Sequence, residues 1–92
     1  MHLNKAVPSK EGFTVYSIGG CKYCDETKKI LKNQNLKIIN CDKYMGKLRE
    51  RDEFYSHILK YTKYKYLYFP MIFCNGIFVG GYKELLKALP KP

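Results

Sequence analysis

Two cysteines three positions apart, in Cys21-Lys22-Tyr23-Cys24, are the residues of this 92-residue chain best suited to chemistry. A Cys-x-x-Cys pair that follows a strand and opens a helix reads as a redox motif, because its sulfurs can alternate between dithiol and disulfide. The placement matters more than the pattern. Phe13–Ile18 alternates apolar and polar types and is rich in β-formers, and Gly19-Gly20 turns the chain. From Cys21 to about Asn33 the spacing predicts a helix, with Cys24, Thr27, Ile30 and Leu31 on one face. Cys21 then stands at the helix start, where unpaired backbone N–H groups and the helix dipole favour thiolate over thiol. The thiolate is the nucleophile. Lys22 adds a neighbouring cation that acts in the same direction, while Asp25 and Glu26 oppose it from farther along the turn. Cys24, one turn deeper, is the less exposed thiol and can resolve a mixed disulfide.

The rival chemistry for such a pair is half of a zinc site, which needs a second ligand pair at related spacing. Cys41 and Cys74 are isolated in predicted strands, and His2 and His57 are isolated as well, so no metal is required. Cys41 and Cys74 read as small buried hydrophobes, and His57 as structural or solvated.

The elements that must position the pair follow from periodicity and turn chemistry. Residues 1–12 read as an N-terminal leader, a short helix or a loose arm, before a domain spanning 13–92. Leu36–Cys41 is a short apolar strand. A second helix from about Met45 to Thr62 carries a stripe of Leu48, Tyr55, Ile58, Leu59 and Thr62. Residues 62–69 are rich in Tyr and Lys and read as extended. Met71–Cys74 and Ile77–Val79 flank Asn75-Gly76, the dipeptide that supplies the positive φ angles of a tight hairpin turn. Tyr82–Leu89 is a last helix. The order β-α-β-α-β-β-α predicts an α/β fold with one four-stranded mixed sheet flanked by helices, its first two strands parallel through a right-handed crossover.

Composition narrows the function. With 46% apolar residues, 9 Tyr and 5 Phe, the chain can build one small core. It contains no apolar run long enough for a membrane helix. Its polar start shows no secretory signal, which leads to the expectation of a reducing, cytoplasmic setting for the cysteines. Seventeen Lys and Arg against 8 Asp and Glu leave a net charge of +9, which favours acidic partners. Tyr61, Tyr64, Tyr66 and Tyr68, interleaved with Lys63 and Lys65, could stack nucleic-acid bases. Packing of alternate rings on the domain is the preferred reading, since no nucleic-acid fold motif accompanies them.

Strand, Cys-x-Tyr-Cys, helix, then Pro70 after an apolar residue, Asn75-Gly76 and Gly80-Gly81-Tyr82 together resemble the glutaredoxins, from about Phe13 to Leu89. The two-cysteine motif is similar to the dithiol, class I branch of that thioredoxin-like fold. The resemblance implies a glutathione-dependent thiol–disulfide oxidoreductase, with Cys21 as nucleophile and Cys24 as resolving thiol. Its partners would be glutathione and glutathionylated or disulfide-bonded proteins, and its expected state is a monomer. It also implies that Pro70 is a cis-proline that frees the backbone of Phe69 for the bound tripeptide, and that Tyr23 borders the glutathione sulfur. Gly81, Tyr82, Lys83 and Glu84 would hold the γ-glutamyl end, with backbone N–H groups suited to a carboxylate. The chain departs from the family pattern at Lys22, at Ile18 (where many members carry a lysine), at Tyr68-Phe69 and at Lys83-Glu84; Lys65 and Lys22 are the cations available to replace that lysine. Two alternatives share the motif: a glutathione-assisted iron–sulfur cluster protein, and a dithiol partner served by thioredoxin reductase.

Overall fold

Alternation along β1 (Phe13–Ser17) sets the architecture, because both faces of this strand are covered. The computed structural model describes residue 3 and residues 5–89; His2 and the prolines of residues 90–92 fall outside them. After β1 come α1 (Lys22–Leu31), β2 (Leu36–Asn40), a single 3-10 turn (Asp42–Tyr44), α2 (Leu48–Thr62), β3 (Met71–Cys74), β4 (Ile77–Gly80) and α3 (Tyr82–Ala88). The sheet order is β2-β1-β3-β4. β1 runs parallel to β2, with Val15 opposite Ile38, and antiparallel to β3, with Val15 opposite Ile72. β3 and β4 form the expected hairpin, and Asn75 and Gly76 take φ angles of 51° and 81°. The expected element order and mixed sheet are those observed.

Period-two alternation divides the core between the two faces. Val15 and Ile72 meet Leu31 of α1 and Leu85 of α3. Tyr16, Met71 and Phe73 point the other way, onto Phe54 and Ile58 of α2, together with Cys41 and Tyr44. Aromatic rings dominate this second layer: Phe54 stacks on Tyr44 at 5.2 Å, and Phe73 meets Tyr16 edge-on at 5.5 Å.

Leu3 and Ala6, from the segment before β1, pack into this layer. Ala6 is only 1% exposed, and its carbonyl accepts from the Tyr16 hydroxyl at 2.8 Å and lies 2.9 Å from His57 Nε2. Ser9 N–H donates to Thr14 Oγ1 at 2.9 Å, and Gly12 N–H to Asn75 Oδ1 at 2.8 Å.

Two helical stripes are narrower than the apolar spacing suggested. On α1, Cys24, Thr27 and Leu31 are buried while Ile30 is exposed. On α2 the buried line is Phe54, Ile58 and Thr62, at four-residue spacing; Leu48 is 73% exposed, and Leu59, one position past Ile58, also faces out. α2 starts at Leu48, since residues 42–44 form the 3-10 turn and Gly46 follows. It ends at Lys63, which takes the left-handed conformation (φ 71°) as its cap. Among the described residues no helix is long and apolar enough to cross a membrane.

Candidate active site

The turn after β1 delivers Cys21 to the N-cap of α1, one position before the helix proper, with extended backbone (φ −107°, ψ 105°). Its Sγ accepts from the Cys24 amide at 3.1 Å. That is a cap interaction made by sulfur, and it stabilises negative charge there once the pair is reduced. Cys21 and Cys24 are joined as a disulfide, with Cα atoms 5.2 Å apart. Cys21 is half-buried and Cys24 fully buried, as their order along the helix implies. Lys22 is exposed at the first helical position.

Asp42, just past β2, ties this turn to the sheet: its Oδ1 accepts from Gly19 N–H at 2.8 Å, and Asn40 Oδ1 in turn accepts from the Asp42 amide at 2.9 Å. The hydrogen bond is charge-assisted and spans 23 residues, so it sets where the chain enters Cys21. Asp42→Ala is expected to lower kcat/KM of the Cys21 chemistry about tenfold and to speed amide exchange at Gly19, while Asp42→Asn keeps the acceptor and stays near wild type. Equal activity and equal exchange in all three proteins would deny Asp42 a positioning role.

Opposite the pair, the Phe69–Pro70 peptide bond is cis and the Phe69 carbonyl oxygen lies 3.8 Å from Cys21 Sγ. Phe69 is anchored by its ring, which stacks on Phe54 at 6.2 Å, so the second core layer supports the sulfur's surroundings directly. From there a groove of about 390 Å³ opens, lined by Tyr23, Tyr66, Phe69, Pro70, Gly81, Tyr82, Lys83, Glu84 and Leu86. All seven residues that the resemblance assigns to glutathione border this one space. Tyr23 and Tyr82 stack across it at 5.1 Å, and the Tyr23 carbonyl accepts from Thr27 Oγ1 at 2.6 Å.

Three details bear on the expected carboxylate contacts. The Gly81 amide is not free for a ligand carboxylate: it donates to Glu84 Oε1 at 2.8 Å. Gly81-x-x-Glu84 has the spacing of the reciprocal half of a capping box, so that contact was legible in the sequence. Ile18 packs on the aromatic core layer. Lys65 lines a neighbouring groove with Leu48, Arg51, Tyr55 and Leu67, while Lys83 lines the groove beside the redox pair and Lys22 stands between the two cysteines in the chain.

Tyr66 and Leu86 are groove residues that sequence reasoning missed. Tyr66 reads as one of four alternating rings, and nothing local distinguishes it; its place is set by Phe78, which it meets edge-on at 5.1 Å. The neighbouring rings pack likewise, Tyr64 on Phe78 at 5.7 Å and Tyr68 on Tyr66 at 5.6 Å. Of the remaining thiols, Cys74 is half-buried and Cys41 fully buried. Burial pushes the Cys41 thiol up from an ordinary 9.0 to about 12, leaving it un-ionised near neutrality.

Residues 13–79 match the glutaredoxin family model, which stops short of the Gly81–Glu84 side of the groove. No curated protein matches the chain in sequence. Several solved structures share the fold. A dithiolic glutaredoxin from Trypanosoma brucei brucei is 27% identical, with a TM-score of 0.61, over 82% of this chain and 73% of that one. Glutaredoxin 1 from Francisella tularensis, solved with cacodylate, is 23% identical with a TM-score of 0.69, over 82% and 87% of the two chains. A buckwheat glutaredoxin–glutathione complex is 22% identical with a TM-score of 0.64, over 82% of this chain, which spans only 64% of the buckwheat protein.

Proposed function

Since the chain belongs to the glutaredoxin family, we propose that it applies that family's thiol–disulfide chemistry as a glutathione-dependent oxidoreductase, with Cys21 as nucleophile and Cys24 as resolving thiol. The observation that carries this reading is the position of the Cys21 sulfur: capped by the Cys24 amide, beside the Phe69 carbonyl, next to a groove with room for a small peptide.

The reaction is a sequence of exchanges at sulfur. The Cys21 thiolate attacks the glutathionyl sulfur of a glutathionylated protein; the old S–S bond breaks, and the protein thiolate leaves and takes up a proton. Cys21 now carries glutathione. A second glutathione, as thiolate, attacks that glutathionyl sulfur, releasing oxidised glutathione and restoring the Cys21 thiolate. With a protein disulfide, Cys21 first forms a mixed disulfide with the substrate. The Cys24 thiolate then attacks the Cys21 sulfur, expels the second protein thiol and closes the Cys21–Cys24 disulfide, which two glutathiones reopen. Tyr23, Phe69, Pro70, Gly81, Tyr82, Lys83 and Glu84 hold the tripeptide during these steps, and Lys22 favours the thiolate. The reading assigns the protein to the cytoplasm, where thiols are kept reduced.

The test is reduction of a small glutathione mixed disulfide, with glutathione regenerated at the expense of NADPH. NADPH consumption that requires both the protein and glutathione is the expected result. Turnover driven by thioredoxin reductase, with none from glutathione, would overturn the reading.

A further inference from the structure

Gly81 has three polar neighbours where a side chain would begin. A methyl group built on it would meet the Tyr66 hydroxyl oxygen at 2.6 Å, Glu84 Oε1 at 3.4 Å and the Pro70 carbonyl oxygen at 3.7 Å. The hydroxyl and the carboxylate both border the space beside the bare Gly81 Cα, in the groove that both residues line. Only glycine leaves this space open.

The two groups differ in how they are held. Glu84 is fixed by accepting from the Gly81 amide at 2.8 Å, which removes that amide as a donor for any ligand. Tyr66 is fixed by its ring, through edge contacts with Phe78 at 5.1 Å and Tyr68 at 5.6 Å. Burial and the charge of Glu84 both raise the pKa of the Tyr66 phenol, so it remains a neutral O–H donor across the physiological range. The groove thus presents a neutral donor and an anionic acceptor together.

Such a pair suits a group that carries both signs. The γ-glutamyl end of glutathione bears an α-carboxylate and an α-ammonium, whereas the glycyl end bears a carboxylate alone, which Glu84 would repel. Resting on the glutathione-dependent reading above, we propose that Tyr66 is a specificity-determining residue whose hydroxyl donates to the α-carboxylate of the γ-glutamyl end, while Glu84 accepts from the α-ammonium. Tyr66 supplies the donor that the engaged Gly81 amide cannot.

Tyr66→Phe keeps every ring contact and removes only the O–H, so it separates this role from packing. Three mixed disulfides with one reporter thiol serve as substrates: those of glutathione, of γ-glutamylcysteine and of cysteinylglycine. Tyr66→Phe is expected to raise KM about tenfold for the first two, the size of a lost hydrogen bond to a charged group, with kcat and the cysteinylglycine substrate unchanged. Glu84→Gln is expected to raise KM for the same two substrates. An unaltered urea midpoint and an unaltered pH profile of Cys21 alkylation in Tyr66→Phe would locate the effect in binding. Wild-type KM values in Tyr66→Phe, or a penalty that follows cysteinylglycine, would overturn the assignment to the γ-glutamyl end. A wild-type protein with no glutathione-dependent turnover would instead remove the reading on which it rests.

Discussion

Cys21→Ser is expected to abolish turnover of every disulfide substrate, by a factor on the order of 10³ or more, because a serine oxygen cannot enter a chain of S–S exchanges. Cys24→Ser is expected to keep reduction of glutathione mixed disulfides and to lose only the route that closes the intramolecular disulfide. The asymmetry follows from geometry. Cys21 is half-buried beside the groove, and its sulfur accepts from the Cys24 backbone amide, a bond that survives replacement of the Cys24 side chain. Cys24 is fully buried. The rate of iodoacetamide labelling against pH gives an independent readout. Cys21 in the reduced protein should titrate below the free-thiol value of about 8.5, whereas Cys41, pushed up to about 12, should stay unlabelled in the folded state. A Cys24→Ser protein as inactive as Cys21→Ser on a glutathione mixed disulfide would refute the division of labour.

Phe54→Ala is expected to cost about 3–5 kcal/mol of stability, read as a lower urea midpoint, which is the usual range for removing a fully buried phenylalanine. Phe54 is the residue through which the second core layer is joined. Its ring meets Tyr16 at 6.1 Å, Tyr44 at 5.2 Å, Tyr55 at 5.6 Å and Phe69 at 6.2 Å. Small domains hold only about 5–15 kcal/mol in total, so the loss would leave little margin. The Phe69 contact extends the effect to the site, since Phe69 carries the carbonyl that faces Cys21 Sγ. A loss below about 1 kcal/mol would mean that the cavity collapses without penalty and that Phe54 does not join the layer.

How much of this was legible before the chain folded depended on the range of the forces involved. The redox pair at a strand–turn–helix junction, the hairpin at Asn75-Gly76 and the order of the elements are expressed within a few residues, through cap positions, positive φ angles and hydrophobic period. Helix faces were read less well. Leu48, Ile30 and Leu59 have the right residue type at a plausible spacing, yet point outward, because the width of a buried stripe is set by what packs on it.

Taken by itself, the order of residues determined that a reactive sulfur would sit where backbone N–H groups converge, since that arrangement needs only the helix it begins. It also determined that β3 and β4 would pair, since a two-residue turn leaves them no other partner so close. Tertiary structure alone decided which groups from distant segments share one space: Asp42 with Gly19, the Ala6 carbonyl with Tyr16 and His57, and the Tyr66 hydroxyl with Gly81. These meetings depend on how the ring packing and the sheet bring remote segments to the same few ångströms, and no local preference of the chain encodes that distance.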